Sequence, residues 1–136
     1  MFQSTYGNDI LFTTNDSGTA ATFINPRNAT NNMTVRSQNN TTTSQSNTDS
    51  RGFFGVSRNA SNFYNYYKNN TKYTSTDASI GTQNANYLGL YAPTLSATFS
   101  QRNLSYLCFG LPLSDEEYFN YYRIIQQYQT LLGRQV

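Results

Sequence analysis

The stretch from Ser61 to Tyr91 combines many aromatic side chains with very few aliphatic ones. It contains six tyrosines and one phenylalanine among asparagines, threonines and serines, and its first large aliphatic residue is Ile80. Aliphatic residues are scarce everywhere before Tyr87, so a compact aliphatic core is not expected there. Tyrosine offers a large rigid ring and a hydroxyl that still bonds to water, which favours contact surfaces over cores.

The overall composition lies between those of folded and disordered proteins. Hydrophobic residues make up 37% of the 136 residues, below the roughly 45–50% of average soluble chains. Disordered chains combine low hydrophobicity with high net charge and few aromatic residues, whereas this chain has a net charge of +2 and 15% aromatic residues. A neutral chain with many stacking faces and hydrogen-bonding side chains is expected to associate with other surfaces.

The pattern along the chain predicts an irregular α+β structure, which is largely extended coil with a few short β-strands and one C-terminal α-helix. Three segments are predicted. They are a short strand pair or N-terminal arm at 1–27, an extended low-complexity segment rich in Asn, Ser, Thr and Tyr at 28–86, and a docking region of strand plus helix at 87–136.

Local signals support this division in its first two segments. Two apolar clusters, Asp9–Phe12 and Thr19–Ile24, flank the turn-forming residues Asn15–Gly18, which predicts two short strands joined by a turn. Residues 28–50 offer only Met33 and Val35 to bury. We therefore predict no regular secondary structure of its own for this stretch.

The strongest local signals stand at the C-terminus. Ser114 and Glu117 have the spacing of a capping box, and residues 115–117 are acidic, which suits the positive end of a helix dipole. A helix is predicted over about 115–132, ending at Gly133. Its apolar residues cover a wide arc, so it needs something to pack against on more than one side.

Two further predictions precede the helix. Leu95, Ala97 and Phe99 alternate with polar residues, which is the period of a half-buried strand. The single cysteine, Cys108, lies in an apolar sequence and is predicted to be a small buried apolar residue.

No catalytic, cofactor-binding or metal-binding residues are predicted. The chain contains no histidine, the side chain that most often performs acid–base catalysis near neutral pH, and its only carboxylate cluster is explained by the helix cap. Its nine lysines and arginines are scattered, so nucleic-acid binding is not expected. No run of about 18 apolar residues is present, so no membrane span is expected.

The candidate functional residues are partner-binding aromatic and apolar side chains. Phe53 and Phe54 lie between Gly52 and Gly55, and form either an anchor on another chain or a loop folded on its own domain. Because aliphatic residues are too few to cover the aromatic rings, we expect the rings to contact other chains. The predicted partner-binding residues are Phe53, Phe54, Tyr64, Tyr66, Tyr67, Tyr118, Tyr121, Tyr122, Ile125, Tyr128 and Leu132.

The leading functional hypothesis is a non-enzymatic structural protein that runs along and links other protein subunits of a large assembly. The specific form of this hypothesis is a minor capsid or cement protein located in a virion, and it rests on an analogy of composition. Three alternatives remain open: a self-associating low-complexity protein that forms fibres or condensates, an accessory subunit of another large complex, and a surface adhesive module.

Overall fold

The structure, a computed structural model, describes residues 21–80 and 106–134 and the backbone of two short strands at Phe12–Thr14 and Leu88–Leu90. The described strands form a five-stranded sheet of order β4-β3-β2-β1-β8 and a three-stranded sheet of order β5-β6-β7, with antiparallel pairing throughout. The elements are β1 (Phe12–Thr14), β2 (Ala21–Asn25), β3 (Asn32–Asn39), β4 (Thr43–Ser46), β5 (Phe54–Ser57), β6 (Tyr64–Lys68), β7 (Thr71–Ser75), β8 (Leu88–Leu90) and α1 (Asp115–Leu131).

The fold is α+β, as predicted, but it is strand-rich, and the prediction of largely extended coil is wrong. Residues 28–50, for which no regular structure was expected, contain β3 and β4. In the ladder, Val35 lies opposite Ile24 on one side and Thr43 on the other. Strand pairing satisfies the backbone, and a second sheet covers Met33 and Val35, so two buriable side chains are sufficient to fix this segment.

Two short strands lie close to the two apolar clusters of the N-terminal segment. β1 and β2 pair antiparallel, and Phe12 lies opposite Ile24. The predicted turn at Asn15–Gly18 and the strand predicted around 95–100 lie outside the described residues. The three-segment division of the chain stays a prediction, although β2 of the first segment and β3 of the second belong to one sheet.

The interior between the two sheets is built largely from tyrosine. Ile24, Met33 and Val35 of the five-stranded sheet pack against Tyr64 and Tyr66 of β6. Because side chains alternate across a strand, the intervening residues of β6 point to the other face of the three-stranded sheet. The sequence of β6 is therefore buried on both faces.

Turn chemistry explains why the polar residues after β6 form a hairpin. Lys68 and Thr71 are paired, which leaves Asn69 and Asn70 as a two-residue turn. Asn69 has a φ of 52°, in the left-handed region that asparagine tolerates better than most residues. The Asn69 carboxamide oxygen also accepts a hydrogen bond from the backbone of Phe53 at 2.8 Å, which ties the turn to the start of β5.

Helix α1 forms a third layer on the outer face of the three-stranded sheet, and the predicted helix is confirmed. Ser114 is the N-cap, and both hydrogen bonds of the capping box with Glu117 are present. The helix ends before Gly133, whose φ of 67° is the left-handed conformation that commonly terminates helices. No helix in the described part of the chain has the length and apolar character that a membrane crossing requires.

Candidate interaction surface

Helix α1 is attached to the three-stranded sheet by a group of stacked aromatic rings. The rings of Tyr67 and Tyr118 stack with centroids 3.8 Å apart. Phe53 lies against Tyr118, Tyr121 and Tyr122 at centroid distances of 5.7, 6.1 and 5.8 Å. Phe53 therefore anchors the helix of its own chain, which is the second of the two alternatives that the sequence left open.

A glycine makes this close stacking possible. A Cβ atom at Gly55 would lie 2.6 Å from Cε2 of Tyr118, well inside the contact distance of two carbon atoms. Gly55 thus lets the helix approach the backbone of β5 closely. Gly55 therefore permits a close contact within one chain, between β5 and α1.

A polar cluster around Asp115 holds the first turn of the helix to the same sheet. The carboxylate accepts hydrogen bonds from the Tyr67 hydroxyl at 2.9 Å, from the Asn65 amide at 3.2 Å and from the Lys72 ammonium at 2.6 Å. The Lys72 hydrogen bond is the main cause that lowers the pKa of Asp115, with smaller contributions from Tyr67 and Asn65. Asp115 is thus ionised at neutral pH, and its charge-assisted hydrogen bonds hold the helix to the sheet.

A second polar cluster joins the two sheets at Tyr64. The Tyr64 hydroxyl donates to Oγ1 of Thr43 at 2.8 Å, and the Thr43 hydroxyl donates to the Asp77 carboxylate at 2.8 Å. Burial raises the pKa of Tyr64, so the phenol remains a protonated donor at neutral pH. The guanidinium of Arg58 lies over the Tyr64 ring at 4.8 Å.

The donors of Arg58 are occupied by backbone carbonyl groups. Its Nε donates to the carbonyl of Ser37, and its terminal nitrogens donate to those of Ala60, Ser61, Phe63 and Asp77. A guanidinium that is engaged in this way fixes loops and has little capacity left for a ligand. Within residues 21–80 and 106–134, no group of three or more His, Cys, Asp or Glu side chains could hold a metal ion.

The eleven predicted partner-binding residues separate into three groups by exposure. Buried within the chain are Tyr64, Tyr66, Tyr67, Tyr118 and Ile125. Half-buried are Phe53, Phe54, Tyr121 and Tyr122, and exposed are Tyr128 and Leu132.

The premise that the chain cannot cover its own aromatic rings is therefore wrong. Tyrosines pack on tyrosines, and two of the buried hydroxyls, those of Tyr64 and Tyr67, find hydrogen-bond acceptors inside the protein. The five buried side chains are no longer proposed as partner contacts. Partner binding by Tyr128 and Leu132 stays a prediction.

Large apolar side chains are nevertheless exposed, and they lie in the C-terminal region. On α1, Ile124, Tyr128 and Leu131 have the i, i+4, i+7 spacing of one helix face, and Leu131 is 85% exposed. Every residue of 106–112 is exposed, with Leu111 at 88%. We call these two parts together, with Leu132, the outer apolar surface.

The segment 106–112 also overturns the prediction for Cys108. Its thiol is exposed, although the surrounding sequence is apolar. Tyr106 is held beside α1 by a hydrogen bond between its hydroxyl and that of Tyr121, and the Leu113 carbonyl accepts a hydrogen bond from Ser57 at 2.7 Å. Both ends of the segment are thus fixed, and its apolar side chains face solvent.

Of the residues on this surface, only Tyr128 and Leu132 were among the predicted partner-binding residues. The wide apolar arc of α1 indicated that the helix needs packing on more than one side, and the structure covers one side with the three-stranded sheet. That arc was the signal that could have identified Ile124 and Leu131. No local signal distinguishes an exposed apolar segment such as Tyr106–Leu111 from a buried one.

Comparison of the chain with models of protein families, with curated proteins and with solved structures finds no significant match.

Proposed function

We propose that this chain is a non-enzymatic structural subunit of a large protein assembly and that it docks on protein through its outer apolar surface. The observation that carries the proposal is the exposure of Ile124, Tyr128 and Leu131 on a helix whose neighbouring face is already packed. Soluble monomers seldom expose contiguous apolar patches above a few hundred Å² without a functional reason.

The arrangement of the polar clusters supports a structural role over an enzymatic one. Asp115 and Tyr64 are each satisfied by side chains that join two layers of the fold. The donors of Arg58 are directed at backbone carbonyls. In the described part of the chain these groups hold elements together, which is what a rigid docking module requires.

The folding of the Tyr/Asn-rich stretch favours this proposal over self-association into fibres or condensates. That alternative needs the tyrosines of 61–75 to be free for contacts between molecules, and these residues form β6 and β7 instead. Two edge strands of the described sheets, β4 and β7, also oppose pairing between molecules. β4 is short and polar, and β7 carries Lys72, two devices that commonly protect sheet edges.

Under the virion hypothesis, the fold changes how this chain would link other subunits. An extended segment was expected over 28–86, but residues 28–80 contain β3 to β7 of two packed sheets. A minor capsid or cement protein of this design would link subunits as a compact body that docks through its C-terminal region. The attribution to a virus continues to rest on composition.

The proposal is tested by placing charge on the outer apolar surface. A tagged chain with Ile124→Asp and Leu131→Asp is introduced into the native source beside the wild type, and sedimentation of large particles is measured. We expect the wild type to sediment with a particle much larger than itself and the variant to remain in the light fractions. Asn70→Asp, in the exposed β6–β7 turn, is a control that adds one negative charge away from the surface, and it should sediment as the wild type does.

Circular dichroism of the same variants separates docking from folding. Because Ile124 and Leu131 are exposed, the double variant should keep the spectrum of the wild type. Unchanged sedimentation of a folded double variant would contradict the proposal, and so would a wild-type chain that is never found in a large particle.

A further inference from the structure

Eight asparagines of the chain are followed at the second position by serine or threonine. This pattern is the acceptor sequence for N-linked sugars, in which a glycan is attached to the amide nitrogen of the asparagine. Six of the eight lie within residues 21–80, where their surroundings can be compared. They are Asn28, Asn32, Asn39, Asn40, Asn59 and Asn69.

The fold closes three of these six sites to a modifying enzyme. In the site at Asn32, the next two residues, Met33 and Thr34, are only 1% and 8% exposed. Asn39 is itself 1% exposed. The amide oxygen of Asn69 accepts a hydrogen bond at 2.8 Å from the backbone just before β5, which holds that side chain in the β6–β7 turn. A glycan at any of these positions would displace packed structure.

The turn between β2 and β3 presents Asn28 differently. The Thr30 hydroxyl donates a hydrogen bond to the Asn28 amide oxygen at 2.8 Å. The backbone N–H groups of Thr30 and Asn32 donate to the same oxygen at 3.0 Å each. The Asn32 side-chain amide donates to the Thr30 hydroxyl oxygen at 3.0 Å, which leaves the hydroxyl hydrogen for Asn28. The amide and the hydroxyl that define the acceptor sequence are thus already joined.

The nitrogen of the same side-chain amide remains available. Within residues 21–80 and 106–134, no atom accepts a hydrogen bond from Nδ2 of Asn28, and the side-chain bonds of this residue all involve the oxygen. Asn28 is partly exposed, and Ala29 and Thr30 are exposed. The acceptor nitrogen can therefore be reached from solvent while the rest of the group is held in place.

Asn40 and Asn59 are exposed as well, but their sites lack this arrangement. The hydroxyl of Thr42, which completes the site at Asn40, accepts a hydrogen bond from Nε of Arg36 at 2.6 Å. In the described part of the chain, no hydrogen bond joins the Ser61 hydroxyl to Asn59. These two sites share the sequence pattern of Asn28 without its geometry, so they serve as internal controls.

We propose that Asn28 carries an N-linked glycan. In the transfer, Nδ2 of Asn28 forms a bond to the anomeric carbon of the sugar, and the bond between that carbon and a diphosphate oxygen breaks. The diphosphate leaves with the electron pair, and one amide proton is released. The donor is a sugar diphosphate, either nucleotide-linked or lipid-linked, and a glycosyltransferase supplies the catalysis.

The turn suits this role because it is formed before the enzyme arrives. The side-chain amide and the Thr30 hydroxyl occupy one arrangement, so little ordering of the chain is needed when a transferase binds them. The modification uses the β2–β3 turn, and it does not depend on docking through the outer apolar surface.

Mass spectrometry of the protein purified from its native source tests the proposal. Trypsin cleaves after Arg27 and Arg36, so the peptide 28–36 contains both Asn28 and Asn32. Fragmentation that preserves the sugar bond then compares the two sites at equal recovery. We expect at least tenfold more sugar on Asn28 than on Asn32. An unmodified peptide 28–36 would overturn the proposal, and so would equal modification of the two sites.

The tryptic peptides 37–51 and 59–68 report on Asn40 and Asn59 in the same digest. We expect lower occupancy at both sites than at Asn28. Higher occupancy at either would show that exposure alone selects the site and would overturn the role of the preformed turn. A single hexose on Asn28 would indicate a nucleotide-linked donor, whereas a longer glycan that begins with an N-acetylhexosamine would indicate a lipid-linked one.

An acceptor assay with the purified full chain provides an independent test. The chain is incubated with an N-glycosyltransferase and its sugar-diphosphate donor, and incorporated sugar is measured. We expect Asn28→Gln to reduce incorporation at least fivefold and Asn40→Gln to leave it nearly unchanged. Incorporation that survives Asn28→Gln would contradict the assignment. Circular dichroism checks that both variants keep the fold of the wild type.

Discussion

In residues 21–80 the largest side chains are turned inwards, whereas in residues 106–134 many are turned to solvent. Tyr64 and Tyr67 are completely buried among their own neighbours, while Leu111 and Leu131 are almost fully exposed. The first region is rich in polar residues and contains no leucine, whereas the second contains five leucines. Hydrophobicity of the sequence alone thus does not tell which region forms the interior.

Hydrogen bonding explains this difference. A buried tyrosine costs little when its hydroxyl has an acceptor, and the acceptors of Tyr64 and Tyr67 are supplied by other layers of the fold. Leucine needs only an apolar surface. The exposed leucines therefore gain from any apolar partner, while Tyr64 and Tyr67 are committed to acceptors in fixed positions.

Truncation of matched tyrosines tests the comparison most strongly. Tyr67→Ala removes a buried ring that stacks on Tyr118 and donates to Asp115, and we expect a loss of about 3–5 kcal/mol of unfolding free energy. Tyr128→Ala, on the exposed stripe, should change it by less than about 0.5 kcal/mol. Urea unfolding of dilute protein measures both. Similar losses for the two variants would mean that the regions do not differ in this way.

A methyl group at Gly55 tests the close approach of helix and sheet. Gly55→Ala should force Tyr118 away from β5 and cost about 1–3 kcal/mol. Gly110→Ala is the matched control, because a Cβ atom there meets nothing within 4 Å. Thermal unfolding compares the two variants, and equal melting temperatures would show that Tyr118 can move at little cost.

Loss of the helix cap has a smaller expected effect. Ser114→Ala removes the acceptor of the Glu117 amide and should cost about 1 kcal/mol. Ser114→Thr keeps a hydroxyl that can accept from the Glu117 amide and donate to the Glu117 carboxylate, and it should retain most of the stability. Chemical unfolding followed by circular dichroism measures both variants. Equal unfolding free energies for the two would contradict the role of Ser114 as a cap.

Acidification should cause the smallest of these losses of unfolding free energy, by protonating Asp115. Its pKa in the folded protein is below the ordinary value of 3.8, so its contribution to stability is present above about pH 4 and is lost as the pH falls through the folded pKa. Because the side chain is 42% exposed, we expect less than about 1 kcal/mol.

The variant Asp115→Asn isolates this effect. Between pH 6 and about pH 2.5, the wild type should lose more unfolding free energy than the variant does, because the other carboxylates are common to both. Parallel pH profiles of the two proteins would show that the cluster contributes nothing measurable.

Elements with local signals were predictable from the sequence. The helix follows from Ser114, Glu117 and Gly133, which lie within or beside the element that they define. β3 to β7 were missed because what stabilises them is remote in sequence, as in the bond between Tyr67 and Asp115. The alternation at Tyr64 and Tyr66, followed by Asn69-Asn70, was the signal of a hairpin that could have been used.

The candidate surface was predicted only in part for the same reason. The exposure of Ile124 depends on where the sheet lies, which no local pattern specifies. Phe53 could be identified as an anchor, but the choice between its own helix and another chain depends on Gly55 and Tyr118, residues far apart in sequence.

The pairing of β1 with β8 has a consequence for the order of folding. Phe12 lies opposite Leu90, and all the other strands lie between them in the chain, whereas β2 to β4 and β5 to β7 each pair with the next strand. Closing so long a loop costs more chain entropy than closing a hairpin. We expect the hairpins to form first and the β1–β8 ladder last, so that its amides exchange with solvent sooner than those of β6 in the native protein.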